Sequence, residues 1–184
     1  MSVNAFDEFV NRQVARSDES GEENLVDWDK IRQDWLGDLE RLYNRLEKYL
    51  KKYVESNRIK LCREKIELTE NNLGTYEAYK LIISIGDERI SAKPVGRSVI
   101  GARGRVDLLG SRGVLRIVYL DKDGPVFKTR VVIDGETEEE SVRPMVPGDV
   151  SEEGWYIATL PPNSRVTILN KTSFRDAIMA ITDA

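Results

Sequence analysis

Between Trp28 and Tyr53 the residues Trp28, Trp35, Leu39, Leu42, Leu46, Tyr49 and Tyr53 recur at spacings of seven, four and three, and beyond Asn57 the apolar period falls to two. The first spacing draws one stripe along an α-helix, whereas the second sends side chains alternately to the two faces of a strand. A chain patterned this way must build a long helix first and a β region after it. Leu36, Tyr43 and Leu50 widen the stripe to three residues per heptad, broader than the two-residue seam of a simple coiled coil. Charge supports the same helix. Residues 26–40 hold five acids and two bases, residues 41–55 five bases and two acids, which suits the helix dipole at both ends. Asn57, a residue tolerant of the left-handed conformation, is the expected stop.

Ahead of this helix, Phe6, Phe9, Val10 and Val14 lie at helical spacing behind Asn4, so a short amphipathic helix is expected over 4–16, and the acidic, apolar-free run 17–24 reads as a linker. After it, Ile59 and Leu61 alternate on one parity and Ile66 and Leu68 on the other, which predicts a bulge near Arg63 or Glu64. Turns are expected at 70–75, at Gly86-Asp87-Glu88 and at Asp121-Lys122-Asp123-Gly124. Strands are expected near 79–85, 98–109, 114–120, 126–133, 155–160 and 165–169, and the run 114–120, apolar on both parities, should be central. Asp134 to Glu153 carries eight acids and one base together with Pro144 and Pro147, and reads as a long irregular loop. Thr172 or Ser173 is placed to cap a terminal helix bearing Phe174, Ile178 and Ile181.

The predicted class is α+β: a long N-terminal amphipathic helix, then an antiparallel β sandwich or partly open barrel of seven or eight short strands, then a C-terminal helix. Two parts are expected, a helical arm over 1–56 and a β body with its closing helix over 57–184. Thirty helical residues span about 45 Å, against a diameter of roughly 36 Å for a compact body of that size, so the helix should overhang. The overhanging stripe nominates Trp28, Trp35, Leu39, Leu42, Tyr43, Leu46 and Tyr49 as an interface, with Trp28 and Trp35 as half-exposed anchors.

One stretch departs from the acidic background. From Lys93 to Arg116 six bases face one acid, giving +5 over 24 residues in a chain of net charge −4, so the remaining 160 residues carry −9. Gly96, Gly101, Gly104, Gly110 and Gly113 punctuate it, and glycine within strand-like sequence marks a bulge, a corner or a close approach. Arg97, Arg103, Arg105, Arg112 and Arg116 are therefore candidates for binding an anion or nucleic acid, with Tyr76, Tyr79, Tyr119, Trp155 and Tyr156 as stacking surfaces. The bland alternative is that the acidic 134–153 segment neutralises them.

Histidine is absent from all 184 residues, which removes Ser-His-Asp and Cys-His nucleophiles, histidine-ligated zinc and a histidine base. The single cysteine, Cys62, permits no internal disulfide and, in strand-like sequence, is expected to be a buried thiol. Neither G-x-G-x-x-G nor G-x-x-x-x-G-K-[ST] occurs, Ser-x-x-Lys is missing, and Pro125 breaks the calcium-loop pattern that begins at Asp121. No catalytic residue, metal ligand or cofactor is nominated. The N-terminus lacks the basic region of a signal peptide and the apolar runs fall far short of the roughly 20 residues of a membrane span, so a cytoplasmic location is expected. The leading reading is a non-enzymatic protein-interaction or assembly protein that self-associates through the long helix. A nucleic-acid-binding β domain using 93–116 is the alternative, and a carboxylate-dependent enzyme, marked by a buried pair of carboxylates in a pocket, is the second.

Overall fold

The computed structural model describes residues 6–8, 10, 26–131, 139–145, 147–160 and 164–182. Helix α1 runs Trp28–Glu55 and helix α2 Lys171–Thr182. Between them lie β1 (Lys60–Glu70), β2 (Gly74–Ile85), β3 (Glu88–Gly96), β4 (Arg105–Leu109), β5 (Val114–Leu120), β6 (Val126–Val131), β7 (Glu139–Pro144), β8 (Gly154–Ala158) and β9 (Val166–Ile168). Seven strands form one antiparallel sheet in the order β1-β2-β3-β4-β5-β8-β9, which does not close into a barrel, and β6 and β7 pair separately. The α+β class with a helix at each end follows the sequence pattern. Residues 6–8 and 10 are helical, as expected of the 4–16 helix, whose remaining residues lie outside the described ones along with the 17–24 linker.

Each end of α1 is fixed by its own sequence. Asp27 Oδ1 accepts the Lys30 amide at 2.9 Å as N-cap, and Asn57 adopts the left-handed conformation (φ 57°) that ends the helix. For α2 the cap is Asn170 rather than Thr172 or Ser173. Its Oδ1 accepts the amides of both, at 2.9 and 3.0 Å, while Ser173 Oγ accepts the Asn170 amide in return, a reciprocal capping box.

The stripe of α1 does not overhang as an interface. Trp35, Leu39, Leu42, Tyr43, Leu46 and Leu50 are buried in the main core with Leu81, Ile83, Ile90, Val106, Leu108 and Ile117 of the sheet and Phe174 and Ile178 of α2. Tyr49 is half-buried, its ring 6.2 Å from that of Phe174. Three residues per heptad are needed because the helix meets two surfaces at once, the sheet and α2. Length is matched too: β2, with 12 residues, is about 40 Å long at ~3.3 Å each, close to the ~42 Å of the 28-residue helix. Of the two tryptophan anchors, Trp35 is fully buried and only Trp28 is exposed, at 41 %.

The parity switch in β1 has a cause other than a bulge. β1 and β2 pair without interruption from Lys60↔Ser84 to Glu70↔Gly74, yet the core-facing residues change parity in both strands, from Leu61, Leu81 and Ile83 to Ile66, Leu68, Tyr76 and Ala78. β2 pairs with β3 only over Leu81–Ile85, so beyond that point the hairpin twists free and turns its other face inward. Tyr43 fills the parting: its hydroxyl donates to the Tyr79 carbonyl at 2.8 Å and lies 3.2 Å from the Ala92 carbonyl. Arg63, the supposed bulge, reaches α1 instead. Its guanidinium donates to Glu47, Glu40 and Asn44 at 2.8, 2.6 and 2.7 Å, three positions along one helix face. The register shift that does occur lies in β3, between Pro94 and Gly96.

Three further expectations are corrected. Strand β4 starts only at Arg105, and 97–104 is a loop held by a Val99–Ala102 bridge. The segment 134–153 is not irregular throughout. Its acidic run enters β7 and pairs with β6, with Glu140 opposite Arg130 in register. Cys62 is exposed on β1, not buried. A second, smaller core of Val118, Leu120, Tyr156, Ala158 and Val166 lies under Val150 on the sheet face away from α1. No helix among the described residues is long and apolar enough to cross a membrane.

Candidate functional site

The basic stretch does not make one surface, because the ladder deals its arginines to different places. Val106, Leu108 and Ile117 face α1 in the core, so Arg105, Asp107 and Arg116, one residue out of phase, face the other way. There Arg105 grips Asp107 with two bonds, Nε to Oδ1 at 2.6 Å and Nη2 to Oδ2 at 2.8 Å. Arg116 is half-buried opposite Asp107 in register, and its Nε is buried without a partner among the described residues. Arg112 is exposed on the tight turn between β4 and β5, where its amide donates to the Ile181 carbonyl at the end of α2 at 2.9 Å.

Arg97 and Arg103 lie together on the helix side. They flank a cleft of about 330 Å³ between the first half of α1 and the 97–104 loop, which Ile31, Asp34, Asp38, Arg41, Tyr119 and Glu153 complete. Arg103 is fully engaged: Nε is 2.9 Å from Asp121 Oδ1, Nη2 bonds Glu153 Oε1, and the guanidinium lies 4.9 Å over the Tyr119 ring. Tyr119 Oη donates to the same Glu153 oxygen at 2.7 Å and its ring meets Trp155 edge-on at 5.2 Å. The hydrogen bond from Tyr119, with the charge of Arg103, holds the Glu153 carboxyl below the usual carboxylate range. Partial burial, and then that carboxylate, push the Tyr119 hydroxyl up. Arg41 pairs with Asp38 at 2.7 Å. Three acids and three arginines thus line the cleft in balance, a poor match for a polyanion and a good match for a surface carrying both signs.

The loop is anchored from below by Glu70. Its carboxylate accepts the amides of Arg97 and Ser98, each at 2.9 Å, and the Tyr76 hydroxyl. Burial, and then this carboxylate, raise the Tyr76 pKa well above its ordinary value.

Three of the five glycines answer to packing. A Cβ on Gly96 would stand 2.6 Å from Glu70 Oε2, one on Gly104 would overlap the Trp35 ring, and one on Gly110 would overlap the Ile181 carbonyl. Of the suggested stacking residues, Tyr119 alone carries one of the five arginines, Tyr76 and Tyr156 are buried, and Trp155 packs on Trp35 at 6.3 Å.

Sequence reasoning did not find Asp121 and Glu153 as the partners of Arg103, because their sequence separations of 18 and 50 residues leave no local signal. The Asp38–Arg41 spacing of three on a predicted helix was a readable one. Among the described residues no charged side chain is buried, so no buried carboxylate pair marks an acid–base centre there, and no three Cys, Asp or Glu converge as metal ligands. Comparison with protein-family models, with curated proteins and with solved structures returns no match.

Proposed function

We propose that the chain is a non-enzymatic interaction module that self-associates through the N-terminal end of α1 and the 97–104 loop, rather than through the length of the helix stripe. The carrying observation is the distribution of large apolar side chains around the balanced cleft. Trp28, one turn ahead of the cleft residue Ile31, is 41 % exposed beside Val26, and Ile100, three residues beyond the cleft residue Arg97, is 97 % exposed. An exposed tryptophan and an exposed isoleucine, each three residues from a residue of a mixed-sign cleft, have the composition of an interface: apolar anchors with a charged setting. A second copy suits it best. Asp34 and Asp38 lie on one wall and Arg97 on the other, so two such surfaces related by a two-fold axis present opposite charges to each other. A cytoplasmic setting belongs to the same reading, since the lone Cys62 thiol is exposed and undefended.

Light scattering on the full chain tests this. At about 100 µM, well above the Kd of weak specific interfaces, the wild type is expected above its monomer mass of 21.0 kDa, and Trp28→Glu with Ile100→Glu at 21.0 kDa with an unchanged circular dichroism spectrum. A wild type that stays monomeric at that concentration removes the reading.

A further inference from the structure

At the opposite end of α1 a groove of about 530 Å³ opens between the last turns of that helix, the start of β1 and α2. Its apolar floor is Leu50, Ile59, Ile85 and Ile178, with Met179 exposed at the rim. The volume is that of a small-molecule site, and such sites are mostly apolar with a few convergent polar groups. The polar groups here are two arginines. The left-handed turn at Asn57 folds the chain back, with the Arg58 amide donating to the Tyr53 carbonyl at 2.9 Å, so that its guanidinium lies 5.0 Å from the Tyr53 ring centroid. Arg175 of α2 reaches the same ring, also at 5.0 Å, and one of its nitrogens donates to the Tyr49 carbonyl at 2.9 Å.

Both cations are held in place by the fold, yet among the described residues neither has a carboxylate within ion-pair distance. The Nε of Arg175 is moreover buried with no acceptor. Elsewhere Arg63, Arg103 and Arg105 are matched to acids while Arg97, Arg112 and Arg116 are not, but among the described residues Arg58 and Arg175 are the pair that share one aromatic ring on one groove. Two unmatched arginines stacked on one tyrosine beside an apolar groove are the counterpart of an anion with an apolar body. Asp176, also on the lining, sets the charge of that anion: it brings the mouth to a net +1 and opposes a dianion such as a phosphate monoester.

We infer that this groove binds a monocarboxylate amphipath, with the carboxylate on Arg58 and Arg175 and the hydrocarbon on the Leu50–Ile59–Ile85–Ile178 floor. The inference rests on this groove alone and is independent of the assembly surface. Decanoate, below its micellar concentration, is the probe, titrated into the isotope-labelled full chain and followed by amide and methyl chemical shifts. Saturable shifts are expected at Arg58, Ile59, Arg175 and Met179. Decanol, which has the same tail without the charge, is expected to bind about tenfold more weakly, and decyl phosphate more weakly than decanoate. Arg175→Gln and, separately, Arg58→Gln should each weaken decanoate about tenfold; Arg58 is exposed, so the second change reads charge without disturbing the docking of α2. Absence of shifts in the groove, equal binding of decanol and decanoate, tighter binding of the phosphate, or unchanged affinity in the Arg58→Gln protein would each overturn the inference.

Discussion

Gly104→Ala adds one methyl group to the basic stretch and is expected to cost more than most single-atom changes in this protein. The added carbon would overlap Cζ3 of Trp35 and lie 3.1 Å from both Cε3 and Cη2. The ring cannot retreat freely, because Trp35 is wholly buried and packed on Trp155. Nor can the backbone. The Gly104 carbonyl accepts the Tyr119 amide at 2.9 Å and the Arg103 amide donates to the Tyr119 carbonyl at 2.8 Å, a narrow pair that locks this point of the chain to β5. Overpacking of this kind costs about 1–3 kcal/mol, and loosening one of those backbone bonds adds about 1 kcal/mol, so roughly 2–4 kcal/mol is expected. Urea denaturation reads this as a fall of about 1–2 M in midpoint, at a slope of ~2 kcal/mol/M for a chain of this size. The control is the Trp35→Leu background. That change costs several kcal/mol by itself, but it vacates the space the alanine needs, and Gly104→Ala should then cost less than about 1 kcal/mol. Equal costs in the two backgrounds would refute the claim that this glycine exists to admit the indole.

Two other outcomes follow from the ion pairs. The hydrogen bond from Arg63 holds the Glu40 carboxyl below its ordinary value of 4.5, so the stability it lends is present above that value and is lost as pH falls through the lower folded-state pKa. The difference in Tm between wild type and Arg63→Met should therefore narrow on going from about pH 7 to about pH 3, and a difference that widens in acid would contradict this. Because Arg103 and Arg105 are already paired with Asp121, Glu153 and Asp107, single-stranded RNA should bind more weakly than about 10 µM at physiological salt, and Arg103→Ala should alter it little. Sub-micromolar binding that declines steeply with salt in a filter or anisotropy assay would restore the nucleic-acid reading.

What the sequence made legible was whatever is local. The 3.6-residue period of α1, its dipole-matched charge and the left-handed stop at Asn57 are properties of a single helix, and the turns at Gly86 and at Asp123-Gly124 are properties of four residues. The class of the fold follows from these. What covers an apolar stripe is a different matter, since Leu42 and Tyr43 would look the same to a partner chain as to β2 and β3. The stripe's width carried the missing information: a helix wedged between a sheet and a second helix needs three apolar positions per heptad without any partner. The run Glu138 to Glu140 reads as loop because like charges repel in isolation, yet Glu139 and Glu140 enter β7 opposite Val131 and Arg130 of β6, a pairing with no local signal. The arginines misled for a related reason. Their positive sum is a property of the segment, whereas their binding capacity depends on acids brought in from residues 121 and 153 and on the irregular backbone before β4, where Arg103 and Gly104 both bond Tyr119, which sends Arg103 to a different neighbourhood from Arg105.

Among the described residues the outer strand β1 is paired on one side only, with β2, along its eleven residues. A bare ladder of that length is a template on which a second strand, and then a third, could add without limit. Its sequence discourages this. Lys60, Arg63, Glu64, Lys65 and Glu67 place a charge at nearly every other position, and Lys65 and Glu64 are tied back to Glu77 and Lys80 on the neighbouring strand. An incoming copy of the strand would have to strip these ions of water or meet its own like charges. The charges of β1 thereby oppose edge-to-edge polymerisation, and its lysines act as gatekeepers against the addition of further strands.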